Sequence, residues 1–190
     1  FYGEILAGMG YGSLILDQRG IGETGGINPS LQEDFEAYLQ NKNVGAILTA
    51  RDAVSAVDFL EKVKRAKNIG ILGESMGGRN AIIAAGLDER IKTTIIISSA
   101  GYFTSFNNEV ADKFLEHINP NSYIGKISPR RLLMLHATND SVIPIGDARN
   151  SFSLAKEPKK FVEFNEKECL HGYCKPMYDL IRDELKQTFD

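Results

Sequence analysis

The chain has 190 residues, 43% hydrophobic and 25% charged, which suits one globular domain with a substantial core and requires no second domain. A formal charge of -3 provides no basic footprint for a nucleic acid or an anionic membrane surface, and no apolar run reaches membrane-spanning length. Cys169 and Cys174 are too few for a disulfide scaffold and fit no common zinc pattern. Two thiols are the default for them, although their spacing also admits a local disulfide bracketing His171. With no recognisable secretory signal, a cytoplasmic location is the default expectation.

In chain order, residues 1–9 read as the end of a helix with Ile5, Leu6 and Met9 on one side, closed by Gly10 or Gly12. Residues 13–16 are a short apolar run predicting a strand that ends at Asp17. A glycine-dense loop from Gly20 to Gly26 follows. It lacks both the dinucleotide fingerprint and a P-loop lysine, so it is no phosphate cradle. The polar stretch 27–42 predicts a long connection carrying a short helix. A longer helix is expected over 49–67, where Ala50, Ala53, Val54, Val57, Leu60 and Lys64 share one face.

Strands are then expected at 69–72, 93–98, 131–135 and 160–164, with helices at 78–87, around 110–115, at 145–155 and at the C-terminus. Short, wholly apolar strands alternating with amphipathic helices define an α/β architecture. The sheet is mostly parallel, doubly wound and covered by helices on both faces. Residues 101–129 leave that rhythm. They predict a short lid-like insertion, too small for a cap domain and long enough to overhang a site.

Gly73-Glu74-Ser75-Met76-Gly77 sits between an apolar strand and a small-residue helix. Glycines two places either side of the serine relieve a tight turn that would lift Ser75 clear of the sheet. The hydroxyl then lies near the positive helix end, and the backbone N–H of Met76 can face a developing oxyanion. A serine is a poor nucleophile without a base, and an imidazole needs a carboxylate to fix its tautomer. Asp140 and His171 each follow a predicted strand, and ligands bind beyond the carboxyl ends of parallel strands. Ser75, Asp140 and His171 are therefore the candidate catalytic residues. Asp147 is the rival to Asp140, and His136 reads as a packed structural histidine. Asp17 and Arg19 read as an ion pair that orders a loop. Tyr102, Phe103 and Phe106 are apolar candidates for contacts with substrate. No metal spacing appears, and the chemistry requires no cofactor.

These residues resemble the α/β-hydrolase fold family. The resemblance runs from about Gly12 to the last helix through Asp17-Gln18-Arg19-Gly20-Ile21-Gly22-Glu23-Thr24, Gly73-Glu74-Ser75-Met76-Gly77-Gly78, His136-Ala137-Thr138-Asn139-Asp140-Ser141-Val142-Ile143-Pro144 and Leu170-His171-Gly172. Within the family the dienelactone-hydrolase-like and peptidase-like esterase branches are the most similar. The resemblance implies a serine esterase acting on a small-molecule ester or acyl substrate. Peptide or thioester cleavage by the same residues is the alternative, and a non-catalytic binding protein on this scaffold is the alternative of another class. In the family, a loop after the strand preceding the first helix, often His-Gly, supplies a second oxyanion N–H. This sequence opens inside that helix. The resemblance therefore implies that N-terminal strands are missing from the 190 residues, with one of them lying between the strands at 13–16 and 69–72, and that the segment alone hydrolyses esters poorly.

Overall fold

The computed structural model describes residues 1–20, 22–24 and 29–190. The apolar runs after residue 68 pair into a four-stranded parallel sheet: β1 (Ile69–Glu74), β2 (Ile91–Ile97), β3 (Arg131–Ala137) and β4 (Lys159–Phe164). Spatial order follows chain order, β1-β2-β3-β4. β2 shows why these residues choose a strand. It reads Ile-Lys-Thr-Thr-Ile-Ile-Ile, with every residue but Lys92 buried, and β-branched side chains pack well on a sheet covered on both sides.

Helices flank the sheet: α1 (Tyr2–Gly8), α2 (Leu31–Leu39), α3 (Gly45–Lys62), α4 (Met76–Leu87), α5 (Glu109–Ile118), α6 (Asn121–Ile124), α7 (Ile145–Leu154) and α8 (Met177–Phe189). Side chains alternate across a strand, so neighbours in β2 part company. Ile96 joins Ile82, Ile83, Phe114, Ile124 and Met134 in the core beneath α3 to α6. Ile95 and Ile97 join Leu133, Leu135, Met177 and Ile181 beneath α8, where Tyr2, Leu6 and Met9 also pack. Because each crossover steps the same way along the sheet, crossovers of one hand bring α4, α5, α6 and α7 to one face. The final helix and α1 cover the other.

Helix boundaries move where side chains intervene. α3 begins at Gly45, earlier than its periodicity predicts, because the buried Asp34 accepts the N–H groups of Gly45 (2.7 Å) and Ala46 (3.2 Å) and so caps its first turn. It stops at Lys62, short of the expected end, and Arg65 beyond it takes a left-handed φ of 56°.

The predicted strand at 13–16 is not in the sheet. Among the described residues β1 pairs with β2 and with no strand on its other edge, and the run at 13–16 forms no ladder with it. It lies beside α1 instead, where a side chain at Gly3 would come within 3.1 Å of Ile15. Leu14, Ile15 and Leu16 remain 41%, 65% and 43% exposed. Of the expected glycine loop, Gly22–Thr24 forms a single 3-10 turn, while Ile21, Gly25 and Gly26 lie outside the described residues, as do Ile27 and Asn28 of the polar connection. Among the described residues no helix is long and apolar enough to cross a membrane.

Candidate active site

β1 ends at Glu74 and α4 begins at Met76, so one residue must turn the chain between them. Ser75 does so with φ 51° and ψ -117°, a conformation that costs a residue with a side chain of the order of 1–3 kcal/mol. Backbone bonds hold it there. Its N–H donates to Ile97 O (2.9 Å), and its carbonyl accepts from Gly78 N–H (3.0 Å), Arg79 N–H (3.2 Å) and the Ser99 hydroxyl (2.7 Å). A Cβ at Gly73 would lie 2.3 Å from Gly77 O, and one at Gly78 would lie 2.6 Å from Ser99 Cβ. Both glycines are therefore steric necessities. A Cβ at Gly77 would meet the Gln18 amide at 3.3 Å, the end of a flexible side chain that can give way. As the first residue of α4, Met76 carries an N–H with no acceptor inside the helix, beside the exposed end of the turn.

The other side of the candidate site comes from the loops after β3 and β4. Asp140 has a fully buried side chain and accepts three donors: Val142 N–H (2.8 Å), Ile143 N–H (2.9 Å) and the His171 imidazole, whose Nδ1 stands 2.9 and 3.0 Å from the two carboxylate oxygens. Burial pushes the Asp140 carboxyl up, but the bonds from Ile143, His171 and Val142 outweigh it and hold the group below the ordinary carboxylate range. An ionised carboxylate only accepts, so His171 carries its proton on Nδ1 and leaves Nε2 free of that role. The His171 side chain is 28% exposed. Its described hydrogen bonds go to Asp140, and none joins it to the Ser75 hydroxyl.

Asp147 sits in the first turn of α7, away from this pair. His136 is buried, with Nε2 2.8 Å from Ile143 O and 3.6 Å from Asp140 Oδ2. It donates to the carbonyl of the same residue whose N–H binds Asp140, and so supports the turn from beneath. Arg19 pairs with Asp52 on α3 through Nε (2.5 Å) and a terminal nitrogen (2.7 Å), not with Asp17, which instead accepts Glu23 N–H. Of the apolar candidates, Tyr102 lies under the Arg79 guanidinium at 4.5 Å and has its backbone pinned by Asn119. Phe103 and Phe106 are half exposed. Phe106 lines an apolar cleft of about 520 Å³ between α2 and α5 with Leu31, Phe35 and Phe114. A second cleft of about 500 Å³ is lined by Arg19, Glu33 and Asp52 together with Pro29, Ala37 and Leu48. Neither is lined by Ser75, Asp140 or His171.

The cysteines expected as thiols are joined. The loop doubles back at Gly172, φ 86°, bringing the Cα atoms of Cys169 and Cys174 to 5.3 Å, within reach of a disulfide that closes around His171. Glu74, which the sequence pattern does not single out, reaches the same loop. Its Oε2 accepts Tyr173 N–H (2.9 Å) and the Tyr2 hydroxyl. Burial and that second bond keep the Tyr2 hydroxyl protonated far above its usual range.

No protein-family model matches the chain. It is 26% identical over 162 residues to the uncharacterized protein YfhR of Escherichia coli O157:H7, covering 80% of this chain and 57% of that one. The chain spans less than three fifths of the length of the curated relatives it matches. Among solved structures it superposes on the esterase Pf2001 of Pyrococcus furiosus with a TM-score of 0.69 at 18% identity, over 98% of this chain and 75% of that one. It also superposes on the α/β hydrolase GrgF from Penicillium sp. sh18, with a TM-score of 0.60 at 17% identity, over 75% and 72%. The chain has the α/β-hydrolase fold.

Proposed function

We propose that the protein is a serine hydrolase that cleaves a carboxylic ester or a related acyl bond through an acyl-enzyme. The observation that carries this reading is the His171–Asp140 pair, held in the Nδ1–H tautomer at the sheet edge where Ser75 occupies a strained strand-to-helix turn. Ser75 Oγ attacks the substrate carbonyl while His171 Nε2 takes its proton. The Met76 N–H stabilises the oxyanion. Collapse breaks the bond to the alcohol, which leaves with the proton from His171. Water then attacks the acyl-serine, again giving its proton to His171, and the freed Ser75 takes it back as the acid departs. Asp140 stabilises the imidazolium formed in each half. The esterases among the structural neighbours support the choice of an ester over a peptide or thioester.

Residues 101–129, carrying α5 and α6, form the lid-like side of this site, with Phe103 on the acyl side; Phe106 lines the cleft between α2 and α5 instead, and Tyr102 ties this segment to α4 through Arg79. The test is labelling with a fluorophosphonate probe followed by peptide mapping. Modification is expected at Ser75, absent in Ser75→Ala and strongly slowed in His171→Ala. A probe that leaves Ser75 unmodified, or labels both variants at the parent rate, overturns the assignment.

A further inference from the structure

The loop that carries His171 is tied to the serine strand by a residue the catalytic chemistry does not use. Glu74 is the last residue of β1 and the covalent neighbour of Ser75. Its carboxylate is half-buried, and among the described residues no cation pairs with it. It takes its stabilisation from two donors that converge on one oxygen, the Tyr173 N–H at 2.9 Å and the Tyr2 hydroxyl. Next to it, Gly172 N–H donates to the Ser98 hydroxyl at 2.9 Å. Ser98 directly follows Ile97, the residue that accepts Ser75 N–H. The two peptide planes that follow His171 are thus each fixed to a strand end that also holds Ser75, and planar peptides pass that orientation to the His171 backbone. The carboxylate presses so close that a Cβ on Gly172 would lie 2.9–3.0 Å from it, at a φ of 86° that favours glycine. The rings of Phe1, Tyr2 and Tyr173 pack edge to face on one another, with centroid distances of 5.3 Å (Phe1–Tyr2), 5.4 Å (Phe1–Tyr173) and 6.1 Å (Tyr2–Tyr173). The Cys169–Cys174 disulfide closes the loop on the far side.

We propose that Glu74 is a positioning residue for His171, setting the distance between base and nucleophile through its reach to the Tyr173 N–H. The proposal rests on the reading of His171 as the base. It makes length, not charge, the property that matters, because a glutamine oxygen in place of Oε2 can accept both donors, whereas an aspartate is one methylene too short. The full chain carrying Glu74→Gln is expected to keep kcat for a small ester within about threefold of the parent. Glu74→Asp is expected to lower kcat by about 10- to 100-fold, with KM unchanged within about twofold, the scale of a small displacement of a catalytic group. Hydrogen exchange read on the peptide containing Tyr173 is expected to rise about tenfold in Glu74→Asp and not in Glu74→Gln. Equal activity in Glu74→Asp and the parent, equal loss in both variants, or loss in the glutamine variant alone overturns the proposal, as does exchange at Tyr173 that ignores both changes. If Ser75 in the parent resists fluorophosphonate, it is the assignment of the base that fails, and the exchange result alone decides whether Glu74 holds the loop.

Discussion

Ser75 is fixed chiefly by main-chain bonds to Ile97, Gly78 and Arg79, with the Ser99 hydroxyl as the one side chain among its described bonds, whereas His171 is held by side chains: Asp140 on its ring, Ser98 and Glu74 on the peptides after it, and a disulfide around it. The difference follows from where each sits. A strand-to-helix turn has backbone donors and acceptors of its own to spend, and its chief demand is that certain side chains be missing. A polar loop after the last strand has no ladder partner, so its conformation must be supplied by whatever neighbouring side chains can reach. The serine half should therefore tolerate most changes except at glycine, and the histidine half should degrade one support at a time.

The largest effect is expected at the centre of the histidine half. Asp140→Asn keeps an oxygen for the Val142 and Ile143 N–H groups but presents no full negative charge to the imidazole. Steady-state ester hydrolysis should fall by about 10³- to 10⁴-fold while the variant stays folded, with a thermal destabilisation far smaller than the loss of rate. A loss under tenfold would show that Asp140 does not orient the base.

Gly73→Ala tests the serine half. Its Cβ would meet Gly77 O at 2.3 Å, backbone that cannot rotate aside, so urea unfolding should report a destabilisation of about 3 kcal/mol, the upper range for overpacking. A near-neutral result would mean that the turn yields, and that the contrast between a backbone-held and a side-chain-held half is wrong.

Removing the disulfide in a Cys169→Ser, Cys174→Ser double variant opens a short loop. This should cost about 2 kcal/mol in unfolding free energy. If the supports act on one loop, the kcat losses of this variant and Glu74→Asp should combine non-additively when the changes are made together.

The smallest effect is in pH dependence. The folded Asp140 carboxyl lies below its unfolded range, so its contribution to stability is present above the ordinary carboxylate pKa and is lost as pH falls through the lower folded value. Acid titration of stability should accordingly be flatter below about pH 4 in Asp140→Asn than in the parent. Identical acid profiles would remove Asp140 as a source of that slope.

Hydropathy and turn chemistry located β1 to β4, and α4, α5 and α7 between them, to within a few residues, because a strand buried on both faces must be apolar throughout; they do not foresee the single turn of α6. The same rule misled at residues 13–16, an apolar run that forms no ladder among the described residues and leaves Leu14 to Leu16 exposed. For the candidate site, Ser75, Asp140 and His171 could be read as residues that each follow a strand, and Asp140 is preferred to Asp147 as the partner of His171 because it lies nearer the strand end; the structure pairs Asp140 with His171.

The sequence by itself determined the α/β alternation, the glycine-flanked serine turn and the short list of residues at the sheet edge, since these depend on local sterics and on the period of apolar side chains. Only the tertiary structure decided that Asp34 starts α3, that Cys169 and Cys174 close around His171, and that Glu74 holds Tyr173 from ninety-nine residues away. The last is a contact between segments that meet only because of how the sheet stacks its crossovers, and the first two turn on the path of the short connection between the partners, which the period of apolar side chains does not encode.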